Sequence, residues 1–368
     1  MTSTTPTTPT TPAGTGATPA GTGAAATTPT AARRAAGAVA GGSGAAPRGG
    51  AWTLGVNTAS LAGHSLEHAL RAAASLGFGA VELLAFEGAS HSQGELCGVW
   101  FRDLDAAGRE RLLRLLDPFP RRSLHAPFVD APLLTYNKRT RECALDQVRE
   151  TIDFAAFIGA EAIATHANRR NSLPLEAFWG ELLDVYRRLG DYALEHGNGV
   201  RLGVETGYPE AAEAFARLVR EIDHPAVGAT IDVGHVRNCV PKEKWGTPEG
   251  IEEHNRHLAY LLETLGDKVV HFHIHDVRRH DFRDHRGLGV ALHSTGTTPG
   301  GAPGVSTVGG GGTGLGNAAA DGVIDFPRLI AQVRELDYRG LWILELEEPD
   351  REGALRRSQE YLRALGVP

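Results

Sequence analysis

A chain of 368 residues with a formal net charge of −7 and a pI near 6.1 has room for one large core with appendages. It lacks the basic balance that phosphate neutralisation on nucleic acid asks for. Cys97, Cys143 and Cys239 are scattered, odd in number and form no C-x-x-C pair, which argues against a disulfide framework or a zinc ribbon and fits a reducing compartment. No apolar stretch approaches the roughly 20 residues of a membrane span, and no apolar h-region follows the start. The expectation is a soluble, cytoplasmic protein without a membrane partner.

Residues 1–50 are built mainly of Thr, Pro, Ala and Gly, with no acidic and no aromatic residue. Such a segment buries too little apolar surface to offset its ordering entropy and is expected to be a disordered tail. Arg33 and Arg34 form a twin-arginine pair, but the AAGAVAGG that follows is short and broken by glycine, so it reads as a chance feature of the tail, with export the minor alternative. From Trp52 the punctuation becomes regular, and residues 51–368 read as one domain.

TLGVNT (53–58) predicts a strand, and 66–76 an amphipathic helix stopped by Gly77. AVELLA (80–85) is a second strand, followed by a helix over 103–116. RSLHA (122–126) is the third, followed by a helix over 138–158 that keeps Leu145, Val148, Ile152 and Ala155 on one face. AIATH (162–166) precedes a helix within 174–195, with Pro174 where a first helical turn tolerates proline. RLGVE (201–205) precedes a helix over 209–222, and GATID (228–232) one over 248–265. VVHFHIH (269–275) is the seventh strand with a helix over 326–336, and LWILELE (341–347) the eighth, with a last helix over 351–365.

Eight alternations of apolar strand and helix imply a parallel sheet covered on its faces, and eight is the count that closes into a (β/α)8 barrel. An open doubly wound sheet is the runner-up, but no G-x-G-x-x-G follows the first strand. In such barrels chemistry sits at the carboxyl ends of the strands. His125, His166, Glu205, Asp232, His273 and Glu345 all fall there. A single strand-end carboxylate is more often a helix cap or a loop hydrogen-bond partner than a ligand. Six at corresponding ends, with oxygen and imidazole donors, point instead to a divalent metal centre.

Five motifs, in this order and at these strand positions, resemble the sugar phosphate isomerase/epimerase superfamily with the xylose isomerase-like TIM barrel, to which endonuclease IV is related. They are GAVEL (79–83), LHAPF (124–128), IDVGH (231–235), HFHIHD (271–276) and GVIDF followed by YRGLWILELE (322–326 and 338–347). The resemblance covers about 53–365. It implies one divalent ion, manganese, magnesium, cobalt or zinc, held by Glu205, Asp232, His273 and Glu345. Within HFHIHD, His271 and His275 share the side of His273 by period two and compete with it for the ligand position. The resemblance further implies sugar isomerase or epimerase chemistry through a metal-stabilised enediolate, with Glu205 and Glu345 moving the proton. His125, His166, His235 and Arg279 would contact substrate, whose expected class is a small sugar or polyol; a homo-oligomer is compatible with these features. Glu82 is a further candidate whose plainer reading is a pair with an arginine, and Glu347 and Glu348 read as capping or solvating the last helix.

Other activities share these residues. His125, His166, Glu205, Asp232, His235, His273, Asp284 and Glu345 match most of the ligand series of endonuclease IV, a zinc phosphodiesterase of abasic DNA, but that family's D-R-H is D-H-R here, at Asp284, His285 and Arg286. His285 would have to rotate in to complete a third zinc site, and the acidic balance gives little for gripping DNA. A polyol or inosose dehydratase uses the same enolate logic, and a non-catalytic sugar-binding barrel is the weakest alternative. Residues 290–321, rich in Gly, Thr, Ala and Pro, depart from the superfamily pattern and are expected to form a flexible excursion at the mouth of the site. Arg169, Arg170 and Asn171, or Lys138 and Arg139, offer charge for an anionic group, though solvated or helix-terminal charges explain them equally well.

Overall fold

The computed structural model describes residues 52–91, 94–169, 173–289 and 321–368. The tail, most of the 290–321 excursion, Arg170 and Asn171 lie outside the described residues.

Eight parallel strands close into a barrel: β1 Thr53–Asn57, β2 Ala80–Leu84, β3 Arg121–His125, β4 Ala162–Thr165, β5 Arg201–Glu205, β6 Val227–Asp232, β7 Val269–Ile274 and β8 Leu341–Leu344. Each pairs with its sequence neighbours, and β1 pairs with β8 to close the ring, from Thr53 opposite Leu341 to Val56 opposite Leu344. Strands β2, β4, β6 and β8 are buried along their whole length, as expected of a parallel sheet enclosed by helices. A two-residue antiparallel pair, Ser90–His91 with Gly94–Glu95, lies outside the barrel.

The helices are α1 Leu66–Ser75, α2 Ala106–Leu116, α3 Lys138–Ile158, α4 Trp179–His196, α5 Ala212–Ile222, α6 Pro248–Leu265, α7 Phe326–Glu335 and α8 Arg351–Ala364. Local chemistry sets their ends. Asp105 accepts the Gly108 N–H, so α2 begins after the predicted residue 103, which lies instead in a short 3-10 turn, Phe101–Asp103. Thr247 caps α6 with Pro248 in its first turn, and Gly159, at φ 68°, ends α3 in the left-handed region that favours glycine. Pro174 does not open α4 as expected. It precedes a separate 3-10 turn, Leu175–Ala177, and Phe178 at φ −131° breaks the path before α4 starts at Trp179. Strand β8 stops at Leu344 rather than residue 347, so Glu345 is the first residue beyond its end.

Polar side chains occupy the barrel interior in ordered rows. Asn57, Glu82 and Ser123 are register partners across β1, β2 and β3, and Asp232 stands opposite His273 across β6 and β7. All five are buried.

Candidate metal centre and substrate cavity

Strand ends β5, β6, β7 and β8 bring Glu205, Asp232, His273 and Glu345 to one point. His273 Nδ1 lies 3.0 Å from Glu345 Oε2, 3.5 Å from Glu205 Oε2 and 3.8 Å from Asp232 Oδ2. His273 Nδ1, Glu205 Oε2 and Glu345 Oε2 are buried without a hydrogen-bond partner. Three carboxylates and an imidazole facing one another in a buried space, with lone pairs left unpaired, is the donor set of a divalent cation. The four predicted ligands therefore fit the ion that the sequence implies.

The competition within HFHIHD resolves by layer. His271 Nε2 lies 2.9 Å from Glu82 Oε2 and its Nδ1 3.1 Å from Thr230 Oγ1, one layer below the carboxylates. His275 Nε2 donates to Asp232 at 2.8 Å while its Nδ1 accepts the His285 N–H at 2.8 Å, one layer above. Only the middle histidine faces Glu205, Asp232 and Glu345 together.

Among the described residues Glu82 has no arginine partner. It is fully buried and accepts from Asn57 Nδ2 and His273 Nε2 on Oε1 and from Ser123 Oγ and His271 Nε2 on Oε2, at 2.8 to 2.9 Å. The sequence carried a signal for this: an acidic residue at the centre of an apolar strand must find its donors inside the barrel. Glu347 and Glu348 do not cap α8 either. Asp350 accepts the Gly353 N–H there, while Glu348 takes Arg286 and the Gly287 N–H at 2.8 and 3.0 Å.

Beside Glu205 stand three predicted contact histidines. His125 Nε2 and His166 Nε2 are 3.3 Å apart and each 3.3 Å from Glu205 Oε2, and His235 Nδ1 is 3.0 Å from Glu205 Oε1. The Ala126 carbonyl, 2.8 Å from His125 Nδ1, requires a proton there and leaves Nε2 to face the cluster. His285, from D-H-R, does turn inward: its Nε2 lies 3.2 Å from His235 Nε2. Arg279 is exposed, its N–H held by the Asp321 carbonyl at 2.8 Å, and it does not line the cavity. Arg169 pairs with Glu210 at 2.8 Å, and Lys138 and Arg139 sit at the exposed start of α3.

Electrostatics follow from this crowding. Burial would raise the Glu205 and Glu345 carboxyls, but the imidazoles around them win: His166 and His273 hold Glu205 well below the usual carboxylate range, and His273 brings Glu345 to about 2. Burial would lower His235, yet Asp232 and Glu205 bring it up to about 10. For His166 burial prevails and lowers the ring to about 4.

A cavity of about 160 Å³ opens onto these groups. Its lining combines the apolar Ala59, Leu96, Phe128 and Leu346 with the imidazoles, Glu205, Glu345 and Glu347. Phe128 is 41% exposed, and its ring lies 5.0 Å from that of His125 and 5.3 Å from that of His166.

Comparison with known proteins agrees with this architecture. Residues 70–365 match the family described as Xylose isomerase-like TIM barrel. An uncharacterized protein of Methanocaldococcus jannaschii is 25% identical over 167 residues, 43% of this chain and 52% of the relative, so the chain spans about half the length of that curated relative. Among solved structures, a D-tagatose 3-epimerase-like protein shares 18% identity at a TM-score of 0.57, covering 85% of this chain and 98% of its own. The 3-keto-D-glucoside 4-epimerase of E. coli gives 17% and 0.57, covering 85% and 99%. A Xylose isomerase-like TIM barrel protein from Mycobacterium smegmatis, solved in complex with magnesium, gives 17% and 0.57, covering 85% and 96%. At these identities the structures speak for the fold, and the match over residues 70–365 for the family: the chain belongs to the Xylose isomerase-like TIM barrel family.

Proposed function

We propose that this protein is a metal-dependent isomerase or epimerase of a sugar or related polyhydroxy carbonyl compound. One observation carries the reading: Glu205 Oε2 and Glu345 Oε2, from strand ends on either side of β6 and β7, converge unpaired on His273 Nδ1 at the floor of a cavity of sugar size. A divalent cation held by Glu205, Asp232, His273 and Glu345 would supply positive charge beside a carbonyl and its neighbouring hydroxyl, acidifying the C–H between them. The chain's own groups do the rest. Glu205 and Glu345, both ionised at neutral pH, are placed to take a carbon-bound proton and to return one. Two carboxylates serve both faces of a carbon skeleton, which epimerisation needs. His125, His166 and His235 present ring nitrogens to substrate hydroxyls, and the apolar lining residues, Phe128 among them, suit the C–H face of a sugar. The magnesium complex, the D-tagatose 3-epimerase-like protein and the 3-keto-D-glucoside 4-epimerase support this reading.

A second reading has its own observation. The mutual spacing of 3.3 Å among His125 Nε2, His166 Nε2 and Glu205 Oε2 is close to the separation of roughly 3.4 Å between ligands of a tetrahedral ion with bonds of about 2.1 Å. A second cation there would favour phosphodiester hydrolysis over proton transfer. Inosose or polyol dehydration shares the first step of the isomerase reading. Metal analysis of the purified protein, with deuterium exchange from solvent into a panel of ketoses and inososes and a nicking assay on abasic duplex, separates the three. Exchange into a ketose supports the isomerase; salt-dependent nicking without exchange overturns it.

A further inference from the structure

Glu82 lies below the proposed metal and touches none of the cavity, yet its contacts decide which atom His273 offers upward. Its two carboxylate oxygens take four donors from three strands: Asn57 of β1, Ser123 of β3, and His271 and His273 of β7. The row is built into the barrel, because Asn57, Glu82 and Ser123 are register partners and their side chains share one interior layer.

Glu82, His271 and His273 bring ligand-type atoms within 4.8 Å of one another, which on spacing alone would suit a metal. The neighbours exclude it. Asn57 Nδ2 and Ser123 Oγ reach the carboxylate as donors at 2.8 Å, so each oxygen is already saturated, and an amide N–H₂ has no lone pair for a cation. Glu82 is therefore an acceptor of hydrogen bonds.

We infer that Glu82 is the positioning residue of the metal centre: by accepting the His273 Nε2–H at 2.8 Å it holds the ring so that Nδ1 is the ligand atom. This rests on the metal reading proposed above. A carboxylate behind a ligating imidazole fixes the tautomer, sets the ring plane and raises ligand basicity. Here the carboxylate is itself fixed, since any rotation of Glu82 breaks bonds to strands on either side. His271 contributes twice, bonding Glu82 through Nε2 and Thr230 Oγ1 through Nδ1, which ties the row to β6.

The test is metal binding, read without substrate. In Glu82→Gln the side-chain oxygen can still accept from His273 while the amide faces Ser123 and a tautomer-switched His271, so the fold should survive with its charge removed. Calorimetric titration of zinc or manganese into wild type and E82Q should show affinity falling by about 10–100-fold. In ¹⁵N-histidine-labelled wild type loaded with zinc, His273 should show a hydrogen-bonded Nε2–H and a ligated Nδ1, a readout that needs no variant. Ligation through Nε2 overturns Glu82 as the residue that sets the ligand atom, and equal affinities in a folded E82Q overturn its charge as the source of ligand basicity; either leaves the isomerase reading standing. A wild type that binds no metal overturns both.

Discussion

Arg237 Nη2 lies 2.8 Å from Asp284 Oδ2, while that same oxygen is 3.9 Å from His235 Nε2. A guanidinium thus occupies the carboxylate that would otherwise join His235 and His285 as a third ligand. The D-H-R order is not what weakens this cluster, since His285 reaches His235 regardless. The weakness is electrostatic. Removing a unit charge beside a bound cation is worth between about 1 and 4 kcal/mol across the range from water to protein surface. Arg237→Gln is expected to tighten zinc binding at His235 and His285 by about fivefold or more, or to add an equivalent, in a direct titration with zinc content measured per chain. An unchanged isotherm would show that Arg237 does not control the number of ions.

Gly234 is required by its neighbour rather than by its backbone. Its φ of −84° and ψ of −32° suit any residue, but a Cβ there would stand 2.0 Å from His275 Cε1 and 2.4 Å from Nδ1. His275 holds Asp232, whose Oδ1 also takes the Gly234 and His235 N–H groups at 2.9 and 2.7 Å. Gly234→Ala should cost about 1–3 kcal/mol through overpacking and weaken metal binding as His275 leaves Asp232. Urea unfolding and metal titration measure the two effects; a stable variant with native affinity would refute the argument.

Much of this was legible beforehand. The apolar strands, with glycine, proline and capping side chains between them, placed all eight alternations, and α3 and α6 fall on their expected bounds. Strand-end position brought Glu205, Asp232, His273 and Glu345 together, because a parallel barrel sends every carboxyl end to one face. Other features needed three dimensions. The partners of Glu82 come from residues 25, 41, 189 and 191 positions away, separations at which no local pattern links them. Arg279 is expected at the substrate, but the chain turns after Arg278, whose side chain takes Asp281, and carries Arg279 outward.

Crowded carboxylates should make the folded state sensitive to metal. Glu205, Asp232 and Glu345 all lie within 3.8 Å of His273 Nδ1, and a cation relieves their mutual repulsion only in the folded chain. Metal at about 100 times its Kd should stabilise the protein by roughly 2.7 kcal/mol, seen as a rise in Tm reversed by chelation. Asp232→Asn should shrink that rise. Glu205→Gln and Glu345→Gln should each slow solvent deuterium exchange into substrate by about 10²–10⁴-fold; exchange that persists in both would rule them out as the acid/base pair.

His254 offers a pH dependence away from the centre. Its Nε2–H donates to the Val233 carbonyl at 3.0 Å, its Nδ1 is buried without a partner, and burial lowers the ring from 6.5 to about 4. Protonation would place a new N–H where nothing accepts it. Between about pH 4 and 6.5 the unfolded chain therefore binds a proton that the folded chain does not. Stability should rise with pH across that window and be lost as pH falls through it, by about 3 kcal/mol over the full range. His166, lowered to about 4, acts in the same window, whereas His235, raised to about 10, stabilises at low pH and loses its contribution only above 6.5. Comparison with a variant isolates His254. His254→Gln keeps a donor for Val233 and cannot titrate, so urea unfolding at steps from pH 7.5 to 4.5 should show wild type losing more stability than H254Q. Parallel curves for the two proteins would show that His254 is not a neutral buried histidine.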